Sequence, residues 1–433
     1  MRSLCVALLC CLWANTMLLA EDKALTAAVA RVDLTPPMSM KASLGGYGAR
    51  MSKPAEGIHD RVWLKCVMLN DGSRRLALVT ADSLCFPYPI RLAVMAKLKE
   101  NNVAVDEVMI LPSHTHTSFD LFALHPKNIY HIPQIGVYQK EAYEHVVAKL
   151  VEVITKANAN FKPVKVGTGR TTLPGWNRNR RGLNISDPDF TLTRIDDLDG
   201  KPLAAIVFWT AHPTFLGPKN MLFSGDWPGE LQRSLESLIG QGVTVMFANG
   251  AQGDQSPTPR PQSGESEWER VDDYGRDVAI KGYDVWKKIV PEANVGLRWQ
   301  RATFDLPKRS RHKDFMKVSG AEYGFIDKTL DAMLMSLFPT STQTLSVRLG
   351  DLQIVGVPGE MTAELGLEVK KQVAEATGAK YVVIGGLADE WVSYILSAKE
   401  YQKGGYEATI SFYGEMLGPT VTEAVIKNAA GLK

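Results

Sequence analysis

Cysteine is scarce in this sequence, and its placement excludes a disulfide scaffold. The 433 residues contain five cysteines, and Cys5, Cys10 and Cys11 all fall within the first twenty residues. Only Cys66 and Cys85 remain, which is too few for a disulfide framework or a cysteine-based metal site. These two residues could form one disulfide or stay as two buried thiols, and the sequence leaves both alternatives open.

An excess of charge of either sign is also lacking. The chain carries 49 basic and 47 acidic residues, for a net charge of +2, and it contains no long basic run. This balance gives no electrostatic footprint for nucleic acid, so we expect no nucleic-acid partner. No protein partner is evident from the sequence either.

Long apolar runs are absent except at the N-terminus. Arg2 precedes the apolar stretch Leu4 to Leu19, and Ala20 ends it just before Glu21. This anatomy predicts a secretory signal peptide at residues 1–20 and a secreted or periplasmic mature protein. A membrane anchor is the alternative, because the stretch is only slightly short of a bilayer span. No low-complexity linker divides residues 21–433, which we expect to form a single domain.

One arrangement, strand–turn–strand–helix–strand, is predicted three times. The predicted elements are Val62 to Leu69, Leu76 to Thr80, Ile90 to Lys99 and Glu107 to Leu111; then Phe190 to Ile195, Leu203 to Trp209, Trp227 to Leu238 and Val243 to Ala248; then Thr344 to Leu349, Leu352 to Val357, Thr362 to Ala376 and Tyr381 to Ile384. The pattern predicts an α/β protein with mixed β-sheets layered with helices, and ligands are expected where the strands end.

Two stretches fall outside this plan. Glu265 to Ile289 has helical spacing, whereas Lys308 to Ser341 is irregular and contains the apolar run Ala332 to Phe338. We interpret the irregular stretch as an excursion over the site or as an ordinary solvated surface.

Histidine and glutamate follow the predicted strands at positions suited to a metal. His114 and His116 are two residues apart in an extended segment, so both imidazoles can face one pocket. His212 ends a second apolar strand and Glu360 a third. Two histidines and one carboxylate are a common ligand set for catalytic zinc that keeps a position open for water.

An ordered set of short motifs identifies a family resemblance. The motifs are Asp33 to Pro37, Gly45-Gly46-Tyr47, Ile58 to Arg61, His114-Thr115-His116, Ala211-His212-Pro213, Gly250 to Pro257, Val357 to Glu360 and Trp391 to Tyr394. Together they resemble the catalytic domain of the neutral/alkaline, non-lysosomal ceramidases, from about Ala28 to about Glu415. The resemblance implies that residues 21–433 are a ceramidase-like zinc hydrolase catalytic domain.

The resemblance also implies roles for individual residues. It makes His114, His212, Glu360 and Tyr394 the ligands of one zinc ion per chain. It places the side chains of His116, Arg180, Ser256 and Tyr406 against the substrate. Ser256 is not expected to be a nucleophile, because no Gly-x-Ser-x-Gly motif surrounds it.

The chain departs from the family pattern in three places. Thr117-Ser118-Phe119 stands where the family has Ser-Gly-Pro, and Trp391 replaces a tyrosine. The chain also ends at Lys433, before the C-terminal β-sandwich domain that known members carry. None of these departures changes a residue that the resemblance makes a zinc ligand. They bear instead on which substrate the protein accepts.

The implied activity is hydrolysis of the amide of ceramide or a related N-acyl lipid. The alternatives are a zinc hydrolase of a smaller amide or ester, and a non-catalytic exported lipid- or glycan-binding protein. Phe119 to Phe122 and Ala332 to Phe338 either form a lipid-facing rim that makes peripheral membrane contact or pack into the core.

Overall fold

The computed structural model describes residues 24–325 and 328–432, so the predicted signal peptide lies outside the described residues. Its strands are β1 Thr26–Asp33, β2 Gly57–Ile58, β3 Trp63–Asn70, β4 Arg75–Ala81, β5 Glu107–Pro112, β6 Lys162–Thr172, β7 Asn177–Asn179, β8 Asp189–Asp197, β9 Pro202–Trp209, β10 Leu222–Phe223, β11 Thr244–Asn249, β12 Gln255–Pro257, β13 Leu297–Asp305, β14 Ser341–Leu349, β15 Leu352–Gly356, β16 Glu360–Met361, β17 Tyr381–Gly385 and β18 Tyr394–Ile395. Its helices are α1 Pro89–Glu100, α2 Lys140–Ala157, α3 Asp226–Ile239, α4 Glu267–Trp286, α5 Ser319–Glu322, α6 Lys328–Ser336, α7 Ala363–Thr377, α8 Ala398–Lys403, α9 Tyr406–Thr409 and α10 Leu417–Ala430.

The three predicted segments are present, and they share one topology. In each, an antiparallel hairpin is followed by a helix and by a strand parallel to the second hairpin strand: β3-β4-α1-β5, β8-β9-α3-β11 and β14-β15-α7-β17. The hairpin turns follow from their sequences. Gly72 has a φ of 88°, and Asp71 accepts hydrogen bonds from the backbone N–H groups of Ser73 and Arg74. Such Asx turns favour Asn, Asp and Gly.

The segments occupy two sheets. The first two lie in one eight-stranded sheet, with the order β11-β9-β8-β6-β1-β3-β4-β5, and they form its opposite edges. The third forms most of a four-stranded sheet with the order β13-β14-β15-β17. The predicted α/β class with mixed sheets is therefore confirmed.

The alternation of side chains along the strands produces four layers. In β3, Val67 and Leu69 face a core between the two sheets, while Cys66 and Met68 face a core beneath helices α1 and α2. Helices α3 and α4 cover the other half of that outer face, and α7 and α10 cover the four-stranded sheet. Because successive strand residues point to opposite faces, apolar residues at nearly every position bury both sides of each sheet.

The burial of individual residues decides between alternatives that the sequence left open for the two cysteines and for the apolar segments. Cys66 and Cys85 are two buried free thiols. Phe119 is 1% exposed and packs against Phe223, and Leu337 is 6% exposed, so both belong to the core. A lipid-facing rim that includes Phe119 and Leu337 is therefore wrong. Within the described residues, no helix is long and apolar enough to span a bilayer.

Arg301 joins the two sheets at one edge. Its Nε and Nη2 atoms donate to the two carboxylate oxygens of Glu107 at 3.0 and 2.9 Å, and Nη2 also lies 2.8 Å from Asp389. Burial favours the neutral form of Glu107, but Arg301 and Arg91 hold the pKa of Glu107 below its usual range. This ion-pair network ties β13 of one sheet to β5 of the other.

We predict that Arg301→Leu lowers the free energy of unfolding by about 3 kcal/mol, because it leaves two buried carboxylates with too few partners. Urea denaturation of both proteins measures the difference. The control is Arg276→Leu on the surface of α4, where loss of an exposed pair with Asp273 should cost under about 1 kcal/mol. Equal stability of the two variants would contradict the structural role of Arg301.

Candidate metal centre and cavity

Three parallel-strand connections bring the predicted ligands to one place. His114 follows β5, His212 follows β9, and Glu360 follows β15. His114 adopts a left-handed backbone conformation with a φ of 70°, which is uncommon outside glycine and is found at functional turns. All three residues are at most 3% exposed.

Asn249, at the end of β11, holds two of these strand ends together. Its Nδ2 atom donates to the carbonyl oxygens of Ser113 and Ala211 at 3.0 and 2.8 Å, directly before His114 and His212. The Asn249 carbonyl oxygen accepts from the N–H of Gly386, beyond β17. Our sequence reasoning missed this residue, although its position at a strand end beside Gly250 was the available signal.

Glu360 is the centre of a cluster of four side chains, the other three being His114, His212 and Tyr394. Its Oε2 atom lies 3.2 Å from Nε2 of His114 and 3.0 Å from Nε2 of His212. The Nε1 atom of Trp391 donates to the other carboxylate oxygen at 2.8 Å. Glu360 and Tyr394 are direct partners in the two-residue parallel ladder of β16 and β18, which fixes their side chains next to each other.

Tyr394 completes the cluster on the side of Arg180. Its hydroxyl lies 3.4 Å from Nε2 of His212 and accepts a hydrogen bond from Nη2 of Arg180 at 2.9 Å. Arg180 is itself held by Glu407 at 2.7 Å and by the carbonyl of Gly253. Arg181 points away, to Glu400 and Glu407, so Arg180 is the arginine that reaches the cluster.

Burial and mutual contact shift the pKa values of the cluster. Burial lowers the pKa of His212 to about 4, so its imidazole is neutral at physiological pH. Burial alone would raise the pKa of Glu360, but His114 and His212 hold it well below its usual range. Burial and the Glu360 charge raise the pKa of Tyr394, against the opposing effect of Arg180. A neutral imidazole at His212 beside a charged carboxylate at Glu360 is the combination of protonation states that a metal ion requires.

The donor atoms fit a tetrahedral metal. Neighbouring ligands of a zinc ion bound at about 2.0–2.1 Å stand about 3.3 Å apart. The separations here match that distance between neighbouring ligands: they are 3.2 Å for His114–Glu360, 3.0 Å for His212–Glu360 and 3.4 Å for His212–Tyr394. The other imidazole nitrogens also have the partners that metal ligands need. Nδ1 of His114 donates to the Leu84 carbonyl at 2.8 Å, and Nδ1 of His212 donates to the Gln255 carbonyl at 3.1 Å.

His116 differs from the other two histidines. Its Nε2 atom lies 3.4 Å from Nε2 of His114, and the three histidines together form a group that could hold a metal ion. Its Nδ1 atom, however, is buried and has no hydrogen-bond partner within the described residues. Metal-bound histidines almost always donate their second N–H, so His116 is the weaker candidate ligand of the three.

An apolar cavity of about 930 Å³, including its open mouth, lies over the cluster. His114, His116, Glu360, Tyr394 and Tyr406 line it, together with apolar residues of which many come from the irregular excursion: Phe315, Phe325 and Leu334. Of the predicted substrate contacts, His116 and Tyr406 line this cavity. Arg180 and Ser256 do not line the cavity. Arg180 lies behind Tyr394, and Ser256 lies on β12 opposite Arg178.

We predict that Trp391→Phe lowers the zinc affinity of the protein by about 10–100-fold, because Glu360 loses the donor that orients its carboxylate. Competition with a chelator of known affinity measures this loss. Trp268→Phe is the matched control, since Trp268 stacks on His59 and does not line the cavity. Unchanged affinity in Trp391→Phe would show that this hydrogen bond does not orient a ligand.

Comparisons with known proteins agree with this geometry. The family model described as the N-terminal part of neutral/alkaline non-lysosomal ceramidase matches residues 26–267 and 326–422, which include every candidate site residue. The neutral ceramidase of Pseudomonas aeruginosa is 23% identical over 96% of this chain and 73% of its own length. Neutral ceramidase A of Dictyostelium discoideum is 22% identical over 92% of this chain and 71% of its own length.

A solved structure shares the fold. The crystal structure of the Pseudomonas aeruginosa neutral ceramidase superposes with a TM-score of 0.81 at 22% identity, covering 95% of this chain and 75% of that one. The family model matches most of the sequence, and the residues it spans build the whole cluster around Glu360. The chain therefore belongs to the neutral/alkaline non-lysosomal ceramidase family.

Proposed function

We propose that this protein is a zinc-dependent amidohydrolase that cleaves the N-acyl amide of ceramide or a related N-acyl lipid, releasing a fatty acid and an amine. The observation that carries the proposal is a four-donor cluster centred on Glu360 at the base of an apolar cavity. Relatives named neutral ceramidases support the substrate class. The predicted signal peptide would deliver the enzyme to the periplasm or the exterior.

His114, His212, Glu360 and Tyr394 would hold the zinc. A bound zinc lowers the pKa of its water from 15.7 toward about 7 and polarises a carbonyl oxygen. Arg180 fixes the Tyr394 hydroxyl at 2.9 Å, and Trp391 fixes the Glu360 carboxylate at 2.8 Å. These hydrogen bonds keep the donor atoms in place before the substrate arrives, which reduces the reorganisation that the reaction requires.

The remaining cavity residues act on the substrate. The His116 side chain lines the cavity beside His114, and we assign it the transfer of a proton from the attacking water to the departing amine nitrogen. Burial raises the pKa of Tyr406, which keeps its hydroxyl protonated as a donor toward the developing oxyanion. Removing one such donor costs about 3 kcal/mol of transition-state stabilisation.

The intact donor set weighs against a non-catalytic binding protein. The cavity lining weighs against a small polar amide, because Phe122, Phe315 and Phe412 offer the substrate mainly apolar surface. Ser256 is proposed as a contact for substrate outside the cavity proper and not as a nucleophile.

We predict that the purified protein contains about one zinc per chain, and that His114→Ala, His212→Ala and Glu360→Ala each lose zinc and amidase activity together. Elemental analysis and hydrolysis of an N-acyl amide measure the two quantities. His131→Asn is the control, because His131 is exposed and tolerates asparagine at its left-handed φ of 54°. Full zinc occupancy in all three site variants would refute the ligand assignment.

We predict that the wild-type protein favours long over short acyl chains, with about 0.8 kcal/mol gained for each buried methylene. Leu334→Gln should flatten this dependence, since Leu334 lines the cavity from α6. Met333→Gln on the same helix does not alter the lining and should leave the dependence unchanged. Comparing kcat/KM for acyl chains of graded length measures the effect. A flat dependence in the wild type would favour the smaller-amide alternative.

A further inference from the structure

Asp120 is a carboxylate in the cavity wall that the proposed reaction does not use. It lies in the loop after the His-Thr-His motif and lines the cavity beside Leu121 and Phe122. Within the described part of the chain it forms no ion pair, unlike Glu360, whose carboxylate contacts His114 and His212. Burial raises the pKa of Asp120 to about 6, so the side chain is still mostly charged at neutral pH.

The local structure needs the oxygen of Asp120 but not its charge. The Oδ1 atom accepts a hydrogen bond from the N–H of Ala123 at 2.9 Å, which closes the short turn after it. An asparagine supplies the same acceptor in such turns and would avoid the cost of burying a charge. Arg50 stabilises the Asp120 charge without a direct ion pair, which leaves the carboxylate available to a ligand in the cavity.

Asp120 and His116 share one wall of the cavity. The backbone of Gly45 and Gly46 packs against these two residues too closely for a side chain to fit. A Cβ atom on Gly45 would lie 2.9 Å from Cα of Asp120, and one on Gly46 would lie 2.4 Å from Cγ of His116. Arg50 ties this wall together by donating to the carbonyl oxygens of Gly45 and His116. Gly45 and Gly46 are consecutive residues, so these two close approaches place Asp120 on the same stretch of the cavity wall as His116.

We propose that Asp120 selects the amine half of the substrate, accepting a hydrogen bond from a hydroxyl on that half and excluding amine halves that carry a carboxylate. This inference rests on the proposed function, which places the leaving amine beside His116. A hydrogen bond to a charged acceptor is stronger than one between neutral groups. Two like charges in an apolar cavity repel each other, and such repulsion discriminates against the wrong ligand.

Three amides with one acyl chain test the selection: N-octanoylethanolamine, N-octanoylpropylamine and N-octanoylglycine. They present a hydroxyl, a methyl and a carboxylate at comparable positions. We expect the wild-type kcat/KM to rank them in that order. In Asp120→Asn, we expect the kcat/KM for N-octanoylglycine, relative to N-octanoylpropylamine, to rise at least about tenfold. The relative value for N-octanoylethanolamine should fall, and zinc content should not change.

The asparagine variant keeps the acceptor for Ala123, so a purely structural role of Asp120 predicts no change in selectivity. Asp199→Asn, in an exposed turn, is the matched control and should behave as the wild type. Identical selectivity of Asp120→Asn and the wild type would overturn the inference. If the wild type hydrolyses none of the three amides, the proposed function fails. Calorimetric binding of the same amides to the wild type and Asp120→Asn then decides the role of Asp120 independently.

Discussion

The Glu360 carboxylate is the point at which separate parts of the chain meet. One of its oxygens lies between His114 and His212, and the other accepts the Trp391 N–H. A buried carboxylate with no partner is costly, and these contacts offset the cost of burying Glu360. Contact with the two imidazoles lowers the pKa of Glu360 against the effect of its burial. A metal ion bound here would compensate the carboxylate charge, and metal binding would then stabilise the strand ends that carry these side chains.

The same hairpin–helix–strand arrangement, present three times, places this carboxylate. In each segment two parallel strands end at the same edge of a sheet, where backbone groups no longer have a neighbouring strand and polar residues supply the hydrogen bonds instead. Asn249 uses its side chain to pair those freed groups, bridging the ends of β5 and β9. The short parallel ladder between β16 and β18 pairs backbone groups with backbone groups, and it places Glu360 beside Tyr394. The ligands are thus carried by rigid elements, as precise metal sites require.

Local patterns predicted the elements well because their causes are local. The strands and helices of all three segments lie within a few residues of their predicted bounds, since alternation, helical spacing and Asn-Asp-Gly turns act over short distances. The positions of His114, His212 and Glu360 at strand ends followed from the same patterns. Their meeting in space did not, because it depends on two sheets packing face to face across more than a hundred residues of sequence. For that reason the sequence left open whether Phe119 and Leu337 are buried. The orienting roles of Asn249 and Trp391 were missed, because they exist only through partners distant in the chain.

The candidate metal ligands and the cavity lining come from different kinds of structure in this molecule. The candidate ligands follow regular strands, whereas much of the apolar lining comes from loops and from the irregular stretch between β13 and β14. Loops tolerate substitution far better than strand ends that share one buried carboxylate. Asp120, for example, lines the cavity and hydrogen-bonds to the N–H of Ala123, outside the donor atoms of the cluster. Family membership therefore bears on the cluster around Glu360 more directly than on the amide that the proposed enzyme accepts, for which the cavity wall supplies the contact surface.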